Sequence, residues 1–332
     1  MILRLGQLFL IAIFITACEA PLVLTGVEEA KASTIHRTDR IQAAASKADS
    51  ILVVGIGFIL NSSDTGKTWS RTSPKSFPAF IGAAICPNKL QVAVSAEKTL
   101  WSSLDNGKTW QSQKLDTEEA PQHISCSPDN KIWIANSYST LLSSSDNGQS
   151  WQKIEFEEDL FFTYLQFFDA LNGVLIGEFG TVYSTVDGGL NWLQKEQPIP
   201  NDFYPMAASF LNINNGWVAG SSGVILHTTD GGSTWTKERT GSEAPLYGLS
   251  ASSLGVYATG DFGTFLERQE AANGTATWLT SDAVSARFYL RAITPINDNK
   301  MLIGGGAGTL KVLVNNGNEQ LVAVNSQNEA SQ

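Results

Sequence analysis

The chain has 332 residues, and its hydrophobic fraction of 42% is enough for a buried core, which excludes general disorder. Asp and Glu number 32 against 22 Lys and Arg, and the net charge of −10 argues against nucleic-acid binding and against adhesion to anionic lipid. Three Cys are too few for a disulfide scaffold.

The N-terminus predicts an export signal. An uncharged, mostly apolar run from Leu5 to Ala17 follows Arg4, and it is shorter than the about 20 residues that span a bilayer. The run ends in Ile-Thr-Ala before Cys18, which resembles a bacterial lipobox, where the Cys is lipidated and becomes the new N-terminus. An ordinary signal peptide with a nearby Cys is the alternative. We therefore predict a signal peptide over residues 1–17, lipidation at Cys18 and a tether over residues 18–38.

Glu19 follows the Cys, and in lipoproteins of this type a residue other than Asp permits export to the outer membrane. We therefore expect an envelope lipoprotein on the periplasmic side of the outer membrane. A soluble protein of the periplasm or of a lumen is the alternative.

A turn motif that ends in Trp recurs along the rest of the chain. Its first copy is the run from Ser63 to Trp69, Ser-Asp-Thr-Gly-Lys-Thr-Trp, and a degenerate sixth copy ends at Trp278. The six Trp are spaced 41, 41, 41, 43 and 43 residues apart. A seventh unit, residues 288–314, keeps the strand pattern but loses the turn and the Trp.

Each unit reads as four short strands separated by turn signals. In the third unit they are residues 123–126, 131–135, 140–144 and 150–154. Four strands in a period of about 42 residues are typical of a β-propeller blade. The sequence therefore predicts an all-β, seven-bladed β-propeller over residues 39–325, followed by a polar tail over residues 326–332. The outer strand of blade seven comes either from residues 320–324 or from residues 33–37, which would close the ring with the N-terminus.

The repeated turn, here called the Asp box, has a structural interpretation. Its Asp can accept hydrogen bonds from turn amides, its Gly supplies a positive φ, and its Trp buries a large area between blades. A calcium site is the alternative, but each box offers one carboxylate where calcium needs several oxygens. We expect no metal and no cofactor. The structural positions are Asp64 and Trp69, Asp105 and Trp110, Asp146 and Trp151, Asp187 and Trp192, and Asp230 and Trp235.

The candidate binding face is the other face of the ring, where the loop between strands two and three and the junction to the next blade open. Aromatic residues recur there, and they either pack the bases of the inner strands or surround a central mouth suited to a peptide segment or a sugar. Acidic residues in the same junctions, if they are more than solvated surface, would favour a basic partner. The candidate residues are Tyr138, Tyr164, Glu178, Phe179, Tyr204, Tyr247, Asp261, Phe262, Arg287, Tyr289 and Arg291.

No catalytic constellation is visible. Sialidases also carry Asp boxes, but they bind the substrate carboxylate with three converging Arg, whereas here Arg287 and Arg291 share one blade and Arg71 follows a box Trp on an outer strand. The three His show no metal-ligand spacing. We expect a protein that is not an enzyme. A glycan-binding or glycan-cleaving propeller is the alternative, because carboxylates paired in space are not visible in a sequence.

Two further residue pairs occupy equivalent positions of different blades. Cys86 and Cys126 lie in adjacent blades, and export would permit their oxidation, but the sequence leaves open whether the ends of neighbouring inner strands come close enough for a disulfide. Trp133 and Trp217 each lie eighteen residues before a box Trp, where other blades carry Val. This substitution predicts core packing rather than a platform on which ligands stack.

A longer run extends the motif to Gly-x-x-Gly-x-[Val/Ile/Leu]-x-x-[Ser/Thr]-x-Asp-Gly-Gly-x-x-Trp, at residues 177–192 and 220–235. With seven blades and an export signal, the chain resembles the photosystem II stability/assembly factor family, propellers of the thylakoid lumen that help to assemble the reaction centre. The resemblance implies a monomeric assembly or stability factor that docks a segment of a membrane or envelope protein complex. The photosynthetic members carry an Arg patch on the docking face, and this chain departs from them, since only Arg287 and Arg291 fall near a plausible face position and the junctions are acidic. The lipobox favours a non-photosynthetic bacterial lipoprotein of this family.

Overall fold

A computed structural model describes residues 33–196, 199–200, 203–271, 274–315 and 321–324. In this part of the chain, seven four-stranded antiparallel sheets follow one another, as predicted for an all-β, seven-bladed β-propeller. The predicted signal peptide, Cys18, the tether up to residue 32 and the polar tail lie outside the described residues. No helix among the described residues is long and apolar enough to cross a bilayer.

Each blade is built from one contiguous run of chain, with its strands in chain order from the inner to the outer edge. The strands of blades 1 to 4 are β1 Ile41–Lys47, β2 Ser50–Gly55, β3 Phe58–Ser62 and β4 Ser70–Thr72; β5 Phe80–Ile85, β6 Gln91–Ser95, β7 Thr99–Ser103 and β8 Gln111–Lys114; β9 Pro121–Cys126, β10 Ile132–Asn136, β11 Thr140–Ser144 and β12 Gln152–Glu155; and β13 Phe162–Phe167, β14 Gly173–Gly177, β15 Val182–Thr185 and β16 Leu193–Gln194.

The remaining blades follow the same plan, and single 3-10 turns join the second and third strands of blades 4, 5 and 6 at Glu178–Gly180, Ser221–Gly223 and Asp261–Gly263. The strands of blades 5 to 7 are β17 Pro205–Phe210, β18 Gly216–Gly220, β19 Ile225–Thr228 and β20 Thr236–Glu238; β21 Leu246–Ser252, β22 Gly255–Gly260, β23 Phe265–Glu270 and β24 Ala276–Thr280; and β25 Leu290–Asn297, β26 Lys300–Gly305, β27 Leu310–Asn315 and β28 Leu321–Val324.

The ring closes without strand exchange. The outer strand of blade 7 is β28, which pairs with β27, and residues 33–37, the other candidate for this position, form no strand. Blades 7 and 1 meet instead through side chains: Ile41 and Phe58 share a hydrophobic cluster with Ala292 and Leu302. The chain therefore uses its C-terminal strand within a blade, and side-chain packing with a few hydrogen bonds, such as that between Ser46 and Thr294 at 3.1 Å, joins the last blade to the first.

The N-terminal segment of residues 34–40 nevertheless takes the place of a blade junction. In blades 4 to 6 a Gly in the turn after the second strand lies against a carbonyl of the following junction, as Gly180 does against Ile199, whose amide donates to the Gly180 carbonyl at 2.9 Å. In blade 7 the same Gly, Gly308, lies against the carbonyl of His36 and donates its N–H to the Asp39 carbonyl at 2.9 Å. The segment thus completes the pattern that the other junctions repeat.

Seven hydrophobic clusters fill the interfaces between adjacent blades. Each box Trp, and Trp278 in blade 6, packs in the cluster shared with the preceding blade, whereas the cluster between blades 6 and 7 contains no Trp. Trp133 and Trp217 are both 2% exposed within these clusters, so they are core residues, as predicted. Burying one large apolar side chain stabilises a fold by about 2 kcal/mol, so the Trp hold neighbouring blades together.

The Asp boxes lie between the third and fourth strands and share one hydrogen-bond pattern. In blade 1 the Ser62 hydroxyl donates to Asp64 Oδ1 at 2.7 Å, and both the amide and the hydroxyl of Thr68 donate to the Asp64 carboxylate, at 2.9 and 2.5 Å. The pattern recurs in blades 2 to 5. Each carboxylate therefore holds its own turn.

Cys86 and Cys126 form a disulfide, a point that the sequence left open. These residues end the inner strands β5 and β9, and their Cα atoms are 5.1 Å apart, within the usual disulfide range. Inner strands converge on the ring axis, which brings neighbouring blades closer there than at their outer edges. The bond joins blade 2 to blade 3.

Candidate functional site

A central channel runs along the inner strands. Its cavity of about 590 Å³ is lined by residues from the inner strands of all seven blades. The face opposite the Asp boxes, where the junctions and the turns after the second strands lie, is here called the mouth face. The channel and this face form the candidate site.

Every inner strand carries a β-bulge at its second residue, close to the mouth face. In β1, for example, Ile41 pairs with Gly55 and Ala43 with Val54, so Gln42 is left as the extra residue. A bulge redirects a side chain, and here all seven bulged side chains line the channel. This set, called the mouth ring, consists of Gln42, Ile81, Gln122, Thr163, Met206, Tyr247 and Arg291.

Below the mouth ring, the next residue is small in five blades and large in two. The small residues are Ala43, Gly82, Ala207, Gly248 and Ala292. The large ones are His123 and Tyr164, whose ring centroids are 5.1 Å apart. The cavity therefore widens away from blades 3 and 4, whose imidazole and phenol rings form one wall.

Burial sets the protonation of this wall. It lowers the pKa of His123 to about 4 and raises the pKa of Tyr164, so both side chains are neutral at pH 7. The Tyr164 hydroxyl donates to the Gln166 side-chain oxygen, which also accepts the amide of Phe210 at 3.2 Å. Among the described residues that line the cavity, Arg291 is the one charged side chain at pH 7.

Three predicted aromatic residues lie at the tips of the turns between second and third strands. Tyr138, Phe179 and Phe262 are 60%, 58% and 76% exposed and have φ values of 52°, 55° and 54°. The left-handed region costs a non-glycine residue about 1 kcal/mol or more. The equivalent Lys98, Ser222 and Ala307 have φ values of 56°, 55° and 52°, so this conformation belongs to the repeated turn, which places the three aromatic rings in solvent at its tip.

The predicted acidic residues Glu178 and Asp261 begin two of these turns. Glu178 accepts the amide of Phe161 at 3.1 Å, and Asp261 accepts the amide of Phe262 at 2.9 Å. Both carboxylates therefore help to set the turn that presents the neighbouring ring. The nearby Tyr204 is 40% exposed, and burial together with the Glu178 charge raises its pKa.

The acidic junctions do not line the channel. Glu119, one of their residues, is bound by the Thr117 hydroxyl and by Lys153 Nζ at 3.0 Å. Basic groups lie instead around blades 7 and 1. Burial raises the pKa of Tyr289, and the charges of Arg291 and Arg40 oppose this rise, which places both guanidinium groups near the phenol.

The predicted face residues thus fall into three groups. Tyr247 and Arg291 belong to the mouth ring and Tyr164 to the channel wall below it. Tyr138, Phe179 and Phe262 are turn tips, and Glu178 and Asp261 support two of them. Tyr204, Arg287 and Tyr289 lie in junctions, where the Tyr289 hydroxyl accepts a hydrogen bond from Gln42 Nε2 at 2.9 Å.

The mouth ring could not be predicted as a set from the sequence, because the alternation of apolar and polar residues does not show where a bulge falls. Three Arg do not converge on the channel, since Arg71 is bound to Asp39 at 2.8 Å and Arg287 and Arg291 share blade 7. In the described residues, no group of three or more His, Cys, Asp or Glu is placed to hold a metal ion.

Comparison with known proteins gives one family. The family described as photosynthesis system II assembly factor YCF48 matches residues 79–163 and 153–255, which together make up more than half of the chain. No curated protein sequence matches the chain.

Solved structures share the fold at low identity. A YCF48 structure bound to a D1 peptide has a TM-score of 0.68 at 16% identity, over 84% of this chain and 93% of that one. YCF48 from Cyanidioschyzon merolae has a TM-score of 0.67 at 14% identity, over 85% and 97%. A streptogramin B lyase has a TM-score of 0.66 at 12% identity, over 84% and 95%. At such identities these likenesses show the fold alone.

Proposed function

Because the chain belongs to the photosystem II assembly factor family, we propose that it is a non-enzymatic assembly or stability factor that docks a segment of a membrane or envelope protein complex. The docking site of this proposal is the mouth face. The observation that carries it is the set of exposed aromatic turn tips around a channel whose rim is built from seven bulged residues. The YCF48 structure with a bound D1 peptide supports a polypeptide segment as the partner.

The physical case rests on the turn tips. Aromatic side chains dominate the energetic centres of protein interfaces, and a loop that is already ordered loses little backbone entropy when it binds. The rings of Tyr138, Phe179 and Phe262 are exposed, and their backbones are held in tight turns. The mouth ring between them offers amide, hydroxyl, thioether, phenol and guanidinium groups that can read side chains of the segment.

We also propose that the protein works in the cell envelope, anchored by a lipid on Cys18 at the periplasmic side of the outer membrane. The lipobox-like run before Cys18 supports this location. Metabolic labelling with a fatty acid tests it: the wild-type chain should incorporate label, and Cys18→Ser should not. Incorporation by Cys18→Ser would overturn the anchor but not the docking proposal.

The docking proposal is tested by affinity capture of the tagged chain from solubilised membranes. The variant Tyr138→Ala/Phe179→Ala/Phe262→Ala should lose at least tenfold of the membrane-protein partner recovered by wild type. Leu104→Ala is the matched control, because Leu104 is 73% exposed in the box of blade 2, on the opposite face. Equal recovery by both variants, or no membrane-protein partner for wild type, would contradict the proposal.

A glycan-binding or glycan-cleaving propeller is the second candidate. It is favoured by the amide and hydroxyl groups of Gln42, Gln122, Gln166, Ser209 and Ser250 in the channel wall. A glycan array and a hydrolase screen separate the two functions. Binding or turnover that falls with Gln122→Ala and is unaffected by the three turn-tip substitutions would favour the glycan.

A further inference from the structure

The face that carries the Asp boxes has an apolar patch on blades 4 and 5. Six large apolar side chains there are exposed by between 43%, for Ile213, and 77%, for Leu190. This blade 4–5 patch consists of Leu171, Val186, Leu190, Leu193, Leu211 and Ile213.

The patch departs from the repeat. Four other blades carry a full box, namely blades 1, 2, 3 and 5. At the position of Val186 three of them carry Ser or Thr, and at the positions of Leu190 and Leu193 all four carry polar residues. The counterparts of Leu190 are Lys67, Lys108, Gln149 and Ser233, and those of Leu193 are Ser70, Gln111, Gln152 and Thr236. Single exposed Leu residues are normal on a surface, but a cluster marks an interaction site.

The two blades present the patch as one surface. The Gly188 amide in the box of blade 4 donates to the Leu171 carbonyl at 2.9 Å, which joins the box to the loop after β13. That loop meets blade 5 through Phe168 and Phe210, whose ring centroids are 5.9 Å apart. At the outer edge, Leu193 lies in a groove of about 510 Å³ that the blade 5 box flanks through Ser233.

We propose that the blade 4–5 patch is a twofold interface between two copies of this chain. Its six side chains expose on the order of 700 Å² per copy, close to the about 800 Å² per partner of a standard interface. A twofold axis brings the same surface together from both copies. The interface differs from the expectation of a monomer, and it leaves the mouth face of each copy open, so it stands independently of the proposed function.

The edge of blade 4 is complementary to itself in charge and in backbone. Lys195 and Glu196 follow the outer strand β16 and line the same groove as Leu193, so a twofold axis can set Lys195 of one copy against Glu196 of the other. Within the described residues, β16 pairs only with β15, and its outer edge offers backbone groups to an antiparallel partner strand.

The surroundings of the patch disfavour a lipid surface as its occupant. Asp169, Asp187 and Asp230 lie in loops of the same face, and hydrogen bonds within these loops lower the pKa of all three carboxyl groups. Ionised carboxylates beside the patch would be repelled by an anionic leaflet. An identical copy brings the same three carboxylates, so they must lie outside the buried area, and it offers Lys195 as the opposite charge to Glu196.

Photo-crosslinking in cells that express two differently tagged copies of the full chain tests the interface. A photoreactive amino acid at position 190 or 193 should give an adduct of twice the chain mass that carries both tags. The same amino acid at position 104, equally exposed on the box face of blade 2, should give less than a tenth of that adduct. Val186→Ser/Leu190→Lys/Leu193→Ser, which installs the blade 1 residues, should abolish co-purification of the two tags.

Each other outcome overturns the proposal. No adduct with both tags, or equal adducts from positions 104 and 190, would show that the patch is no interface between copies. Adducts from position 190 with lipid or with a different protein would assign it to another occupant. Unchanged co-purification by the triple variant, with near-ultraviolet circular dichroism like that of wild type, would place the dimer contact elsewhere.

Discussion

Arg71 holds Asp39 with two hydrogen bonds, from Nη1 to Oδ2 at 2.8 Å and from Nη2 to Oδ1 at 3.0 Å. Asp39 is 5% exposed and ends the turn that begins at His36, whose amide donates to Asp39 Oδ2 at 2.8 Å. Arg71 also donates to the Thr34 carbonyl at 3.1 Å and stacks on Phe58. One guanidinium group on an outer strand therefore fixes the segment that completes the ring.

Breaking this pair should destabilise the protein strongly. Removing one member of a buried ion pair leaves the other charge without its partner, at a cost of about 3 kcal/mol. We expect Asp39→Asn and Arg71→Gln each to lower the free energy of unfolding by this amount, measured by urea denaturation. The double variant should cost much less than the sum of the two. Additive losses would show that the residues do not act as a pair.

The Asp boxes should make the ring sensitive to strong acid. Hydrogen bonds from Thr109 and Ser103 lower the pKa of Asp105 to about 2, and their counterparts do the same for Asp146, Asp187 and Asp230. A carboxyl group whose pKa is lower in the folded state stabilises the fold above its ordinary pKa of 3.8 and loses this effect as the pH falls towards 2. Urea midpoints should therefore decline between pH 4 and 2.

The matched variants for this window are Asp146→Asn and Glu157→Gln. Asp146→Asn should lower stability at pH 7 and flatten the decline below pH 4, since one of the shifted groups is gone. Glu157 is exposed and takes no part in a box turn, so Glu157→Gln should change neither. Identical acid profiles for wild type and Asp146→Asn would refute this account of the box.

His123 should give a separate pH dependence at milder acidity. Burial lowers its pKa to about 4 from 6.5, so the unfolded chain binds a proton that the folded chain does not between these values. Stability is then full above pH 6.5 and falls by about 3 kcal/mol as the pH drops to 4. His123→Gln should remove this slope. Chemical shifts of the His123 ring that titrate near 6.5 would contradict the prediction.

The disulfide should stabilise the junction of blades 2 and 3. A bond that closes a loop of 40 residues restricts the unfolded chain and contributes about 2–4 kcal/mol. We expect Cys86→Ala/Cys126→Ala to lower the free energy of unfolding by this amount. A reducing agent should have the same effect on wild type and none on the variant. Wild type that is insensitive to reduction would show that the bond does not contribute.

The backbone conformation at Phe262 should lower the stability of the fold, because a residue with a side chain is strained at this φ. At φ 54° Gly is unstrained and Ala is not, so Phe262→Gly should be more stable than Phe262→Ala by about 1 kcal/mol. Both should bind the partner segment equally weakly, because both lack the ring. Thermal melts and affinity capture measure the two effects. Equal stability of the Gly and Ala variants would show that the positive φ at position 262 costs no free energy.

The repeated Trp marked six of the seven blades, because a residue that fills an interface between blades recurs with the period of the fold. The seventh blade, whose interface with blade 6 contains no Trp, was predicted from its strand pattern alone. The same repeat placed Tyr138, Phe179 and Phe262 at the turn tips, since loops between equivalent strands open on one face. Trp278 marked blade 6 although its box lacks the Asp. There Glu238 accepts a hydrogen bond from Trp278 Nε1 at 2.8 Å and also binds Arg268. No local sequence pattern predicts these two contacts.

What the sequence did not reveal depends on contacts distant in the chain. The bulge at Gln42 is defined by how β1 pairs with β2, and the sequence of one strand does not determine the register of that pair. The approach of Cys86 to Cys126 depends on how closely inner strands converge. The sequence predicted a tether up to residue 38 with a possible strand at residues 33–37, and it did not predict a junction. A junction is defined by the turn it packs against, here Gly308, more than 260 positions later.

The chain enters the ring through the segment that seals it. Any tension on the chain before Thr34 is carried first by the Arg71 contacts to Thr34 and Asp39, and only then by the packing of blade 1 against blade 7. Force applied at the N-terminus therefore acts on the interface between blades 7 and 1, which no covalent connection within the described residues crosses. The guanidinium group of Arg71 is the first group to resist that force.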